Sequence, residues 1–327
     1  MARLGFLILV IFGIFSNAFA GSLKFSGGIS GALFKETHQR GRDSKVKLTD
    51  AYLELSGGKE LFGFNFSVGS ILTPTVLNSV KAENRGNFGL DRENDKFGLL
   101  WGYISLLPLS GYQIELGVLP TMVGFELPLS FLNPNITYGL VWNSQPFIYR
   151  GVRLIREVNG ELRLFGEYDR GSDLNGKSGD SAFSIGLSGN YGKLSYALSY
   201  FDYSDFKNLV DFTLGGRISR VKVFLNGDYQ WLDGDKSKSA YGVALYVIPD
   251  FGSFSIPLRI EYVNDERGSN IYGFSGGAYS LTLTPTFRIL SNLTFRLEYS
   301  FVKANRFRGF NGSDHKNTVS AQVFVSF

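Results

Sequence analysis

Cysteine is absent from the 327 residues, and histidine occurs only twice. The first absence rules out a disulfide framework and a lipid-modified N-terminal cysteine. The second leaves little for catalysis or metal binding: His38 and His315 both fall in connections, and neither has a convincing Ser or Asp arrangement. No enzyme, cofactor or metal is expected on these grounds. Long hydrophobic runs are missing too. Beyond Phe19 no segment of 18 apolar residues occurs, which excludes a membrane protein built of helices. Nor does one sign of charge dominate. Lys and Arg number 33 against 29 Asp and Glu, a net +4 that gives no reason to expect nucleic acid.

What is present points to export and to strands. The N-terminus, MARLGFLILVIFGIFSNAFA, has one positive charge at Arg3, an apolar run from Leu4 to Phe15, and Ala18-Phe19-Ala20 before Gly21. That layout predicts a cleaved signal over 1–20, with 21–327 as the exported unit. From Gly21 onward, period-two alternation recurs in segments of about 9–13 residues. In NLTFRLEYSFVK (292–303), Leu293, Phe295, Leu297, Tyr299 and Phe301 oppose Thr294, Arg296, Glu298 and Ser300. Sixteen such segments can be traced, the first over 22–34 and 47–57, the last over 254–264, 278–289, 292–303 and 317–327.

The connections alternate in length. Short turns such as Asn159-Gly160 and Leu290-Ser291 alternate with longer, mostly polar stretches at 35–46, 72–96, 121–146, 171–180, 232–238, 265–277 and 304–316, and one brief stretch at 204–206. The fold class expected is therefore all-β: a transmembrane, antiparallel, up-and-down β-barrel of about 16 strands, with short periplasmic turns and long extracellular loops. A soluble sandwich is disfavoured by the polar faces. They carry Asp50 and Glu54, Arg259 and Glu261, and Arg296 and Glu298, charges that a dry inter-sheet core would leave unpaired at several kcal/mol each. The ending NTVSAQVFVSF agrees. Val323, Val325 and Phe327 would face lipid, while the strand edge closes onto the first strand.

Sixteen strands enclose an aqueous channel rather than a packed interior. An outer-membrane channel for passive diffusion of small polar solutes follows as the expected function. The alternative is a closed-lumen barrel acting as a receptor, adhesin or structural protein. By strand parity, seven basic residues (Lys24, Arg163, Arg217, Lys222, Arg259, Arg288, Arg296) and nine acidic ones face inward, which predicts no dominant sign. Candidate pore residues are Glu115, Glu126, Arg153, Arg163, Glu167, Arg296 and Glu298. Arg153 shares parity with Phe147 and Tyr149, so its direction stays open and a bulge is one explanation. The connection 121–146 stands apart. It is largely apolar or aromatic with Glu126 as its one charge, which suggests a segment folded into the barrel as a constriction, or packed on the wall or a neighbouring subunit. Lipid and surface glycolipid are the expected surroundings, the latter near the basic stretch KETHQRGRDSK (35–45).

The run IELGVLPTMVGFE, then NPN, then VWNSQPFIYRGVRL resembles the central part of the putative β-barrel porin-2 family. The matching positions are Gly117, Gly124, Glu126, Asn133, Asn135, Gln145, Pro146, Gly151 and Val152, and HKNTVSAQVFVSF resembles the family's last strand. Ile136-Thr137-Tyr138 departs from the more polar, Arg-containing continuation of the family. The resemblance implies an outer-membrane porin and names no substrate. It also implies that Phe327, with Val325 and Val323, is read by the barrel-insertion machinery, and that a homotrimer is compatible with the chain, as is a monomer.

Overall fold

The computed structural model describes residues 23–38, 41–77, 97–170, 181–204, 206–265, 269, 271–274, 276–304 and 313–327. The export signal expected over 1–20 lies outside them, as do 171–180 and parts of 72–96, 265–277 and 304–316. Alternating sequence becomes antiparallel ladder throughout. The strands are β1 (Lys24–His38), β2 (Gly41–Lys59), β3 (Phe62–Ile71), β4 (Gly98–Leu106), β5 (Tyr112–Pro120) and β6 (Ile148–Asn159). Next come β7 (Leu162–Arg170), β8 (Ser181–Tyr191), β9 (Leu194–Asp202), β10 (Lys207–Ile218), β11 (Val221–Leu232) and β12 (Asp235–Pro249). The last are β13 (Phe254–Ser255), β14 (Leu258–Asp265), β15 (Gly276–Leu283), β16 (Thr286–Leu290), β17 (Leu293–Ala304) and β18 (His315–Ser326).

Along the wall each strand pairs with the ones before and after it, and β1 pairs with both β2 and β18, so the sheet closes. Closure matters because an unsatisfied backbone group in lipid costs several kcal/mol. Eighteen ladder segments make sixteen wall strands: β13 continues into β14, and β15 into β16. Both breaks fall at prolines, which have no N–H for the ladder. Pro257 and Pro285 lie across from one another, bracketed by the pairs Leu258–Leu283 and Ser255–Thr286. The Thr284 N–H still donates to the Pro257 carbonyl at 2.8 Å, and Leu297 N–H to Pro285 at 2.9 Å. The wall stays continuous.

The chain end is tied in to its final residue. Gly27 N–H donates to the Phe327 carbonyl at 3.1 Å, Phe327 N–H to Gly27 at 3.0 Å, and Ser326 N–H to Asn292 at 3.0 Å. Val319, Val323, Val325 and Phe327 are exposed on the outer face, while Thr318, Ser320 and Gln322 are buried inside. The outer face ends in aromatic rings suited to a membrane interface. Tyr168, Tyr229, Tyr241, Tyr262, Tyr279 and Tyr299 are all exposed toward the long-loop end.

Two stretches expected as long connections are strand instead. β1 reaches His38 and β2 begins at Gly41, with Thr37 paired to Arg42, so most of 35–46 is hairpin ladder. Likewise Leu232 pairs with Asp235, which shortens 232–238 to a tight turn. Their charged residues read as loop, yet a ladder that has left the membrane can carry charge on both faces. A bulge adds one further departure. Thr49 is the extra residue between the pairs Ser30–Asp50 and Gly31–Leu48, and it lets Thr49 and Asp50 both point inward.

Candidate functional site

Between β5 and β6 the chain turns into the barrel. Residues 121–147 make two short 3-10 turns, Ser130–Leu132 and Trp142–Ser144, but little other regular structure. Asn133 braces the first part: its Oδ1 accepts from Leu127 N–H at 2.7 Å and its Nδ2 donates to the Leu127 carbonyl at 2.8 Å. Tyr138 stacks on Trp142 at 4.0 Å, and Trp142 meets Phe147 edge-on at 5.3 Å. A buried segment without ladder has peptide groups that need partners.

The wall supplies them with both kinds of charge. Asp211 accepts from Gly124 N–H at 3.2 Å, Asp50 from Ser130 N–H at 3.2 Å, and Glu261 from Val141 N–H at 3.2 Å. Glu298 accepts from Ile136 N–H at 2.5 Å, from Thr137 N–H at 3.1 Å and from the Thr137 hydroxyl at 2.6 Å. Cations take the carbonyls. Arg296 donates to Ser130 and Asn133 at 3.2 and 3.1 Å, Arg259 to Thr137 at 2.8 Å, Arg153 to Pro120 at 2.5 Å and Lys207 to Ser144 at 2.7 Å. Charge-assisted bonds of this kind are about twice as strong as neutral ones. The partners lie on β2, β6, β10, β14 and β17, so the segment is held from several sides of the lumen.

The candidate residues fall into three groups. Arg153 points inward and bridges Glu167 at 2.7 Å and Glu115 at 2.9 Å, all three buried. Its strand is regular against β5 from Arg156 to Ile148, so no bulge is needed; Phe147 and Tyr149 face inward because the segment packs on them. Glu126, Arg296 and Glu298 belong to the grip on the segment. Glu126 accepts from Gly139 N–H at 2.8 Å and pairs with Arg259, which also meets Glu261 at 3.1 Å. Arg163 joins neither group, being an exposed partner of Glu157 near the turn after β6. Lys207 was absent from the candidates, although its parity with Asp211 on β10 could have found it.

Burial divides the charges that parity places on the inner face. Eleven Asp and Glu but only five Lys and Arg are buried among the described residues. Of the seven predicted bases, Lys24, Arg163, Arg217 and Arg288 are exposed and Lys222 is half-buried, all near the short-turn end. Glu36 and Asp265, read as connection, add to the acidic interior. Beside the segment lies a dry core where Val76, Leu140, Val141 and Tyr272 meet Ala240 and Ala244 of β12. Toward open space the segment shows Leu127 and Leu132, 46% and 56% exposed. A cavity of about 300 Å³ lined by Lys24, Ser56, Asn65, Tyr103, Ser105 and Gln113 opens toward the short-turn end.

No curated protein sequence gives a match. Among solved structures, OmpT of Vibrio cholerae (in-vitro folded) is similar at 9% identity with a TM-score of 0.66, covering 94% of this chain and 98% of that one. Its trimer form gives 11% and 0.65, over 94% and 100%. The outer membrane channel DcaP of Acinetobacter baumannii gives 12% and 0.66, over 95% and 99%. These likenesses establish the barrel fold. The family model described as "Putative beta-barrel porin-2, OmpL-like" matches residues 24–327, nearly the whole described barrel. The chain belongs to that family, and it is an outer-membrane porin.

Proposed function

We propose that segment 121–147 narrows this porin and that its passage favours cations over anions. The observation that carries the reading is the buried excess of eleven carboxylates over five Lys and Arg. Where water reaches these carboxylates, low-dielectric walls focus their field on the passage. Glu115, Glu167, Glu126, Glu298, Arg153 and Arg296 then act mainly by fixing the shape of the passage. Arg163 acts at the periplasmic rim. Small polar solutes and ions are the cargo, with membrane lipid around the wall. The final residues Val323, Val325 and Phe327 serve insertion, and 1–20 is the export signal.

Planar-bilayer recording under a salt gradient tests this. A reversal potential of the sign for cation permeation is expected, and the anion sign refutes the selectivity. The dry core around Val76 and Leu140 favours a second reading, a lumen closed for receptor or structural use. A folded, heat-modifiable barrel with no conductance would establish that alternative. Association into a trimer is also proposed, by analogy with the trimer form of OmpT, and light scattering in detergent would exclude it by finding only the mass of a single chain.

A further inference from the structure

The β1–β2 hairpin carries a cluster that takes no part in holding segment 121–147. Glu36 and Asp43 are direct cross-strand partners, and His38 lies two residues beyond Glu36, on the same inward face. Glu36 and His38 are buried and Asp43 is half-buried, at the extracellular mouth. One donor atom from each lies within 4.8 Å of the others, and His38 Nε2 stands 3.5 Å from Asp43 Oδ2. Lys316 of β18, the register partner of His38, brings Nζ to 3.4 Å from Glu36 Oε2.

We propose that Glu36, His38 and Asp43 bind a divalent transition-metal ion of the zinc class. An imidazole with two carboxylates is a borderline donor set, which suits Zn²⁺, Cu²⁺ or Ni²⁺ better than Mg²⁺ or Ca²⁺. Bonds of about 2.0–2.2 Å in a tetrahedron hold donor atoms roughly 3.3–3.6 Å apart. His38 and Asp43 already meet that spacing, and a closure of about 1 Å at the hairpin brings in the third donor, with water as the fourth. Lys316 is the built-in competitor, because it occupies Glu36 with a single positive charge. The ion and the lysine exchange for the same carboxylate. His315, the other histidine, pairs with Asp314 at 2.7 Å and serves as a control.

Calorimetric titration of Zn²⁺ into the full-length mature barrel in detergent tests the site, independently of any conductance. One equivalent is expected, with affinity at least tenfold lower in His38→Ala and Asp43→Asn. Lys316→Met is expected to tighten binding severalfold, and His315→Ala to leave it unchanged. Heat-modifiable mobility checks the fold of each variant. Three results overturn the proposal: no zinc binding, equal binding by His38→Ala, or weaker binding by folded Lys316→Met. Displacement of the zinc by equimolar Mg²⁺ would refute the transition-metal class.

Discussion

Glu298 holds segment 121–147 at a point where loss is measurable. Replacing it with Ala leaves the N–H groups of Ile136 and Thr137 without their acceptor, and frees the hydroxyls of Thr137 and Thr284. The hydroxyls can rotate to other partners, but the two amides cannot. At about 1–3 kcal/mol for each buried unsatisfied donor, the docked state loses about 2–6 kcal/mol. Water in the adjacent lumen brings the loss toward the lower end, roughly a thirtyfold change in docked population at about 2 kcal/mol. Asp50, Glu261 and Asp211 still hold the flanks, so residues near Ile136 should swing out while the rest stays. Single-channel recording should show larger, flickering steps. Glu298→Gln, which keeps an acceptor oxygen, should fall between the variant and the wild type. Steps identical in size and noise for Glu298→Ala would refute the claim that these bonds hold the segment in the current path.

Arg153→Met should be costlier to the barrel than to the passage. It strands Glu115 and Glu167 beside Asp169, and a buried ion pair broken from one side costs about 3–5 kcal/mol, so heat-modifiable mobility should be lost at a lower temperature. Gly139→Ala would drive a Cβ into Oε1 of Glu261, a carboxylate fixed through its other oxygen by Ser280 and Arg259, and should mimic the flicker of Glu298→Ala. Gly160→Ala, with nothing within 4 Å of the added carbon, is its silent control. Mass spectrometry of protein taken from membranes should find Gly21 at the N-terminus, and retention of Met1 would refute the signal.

The wall was legible because lipid outside and polar contacts inside impose strict alternation, which survives even where Pro257 and Pro285 interrupt the ladder. The hairpin at His38 and Gly41 was not, since outside the membrane no apolar face is needed to hold a strand. The triad of Glu36, His38 and Asp43 was hidden with it. Thr49 hid a change of phase that no alternation count can locate. The inward orientation of Glu298 and Arg296 could be read, but not their partners. Those partners are peptide groups of another segment, and a peptide group leaves no mark in the side-chain pattern.

That last feature has a consequence for how such proteins diversify. Wall carboxylates and guanidinium groups hold the segment through main-chain amides and carbonyls, which every residue except proline offers in full. The fastening is thus largely indifferent to the letters it fastens. Positions such as Leu127 and Leu132, which face the open space, can be exchanged without loosening the segment. Relatives that keep the charged wall can alter the chemistry met by a passing solute while inheriting the same scaffold.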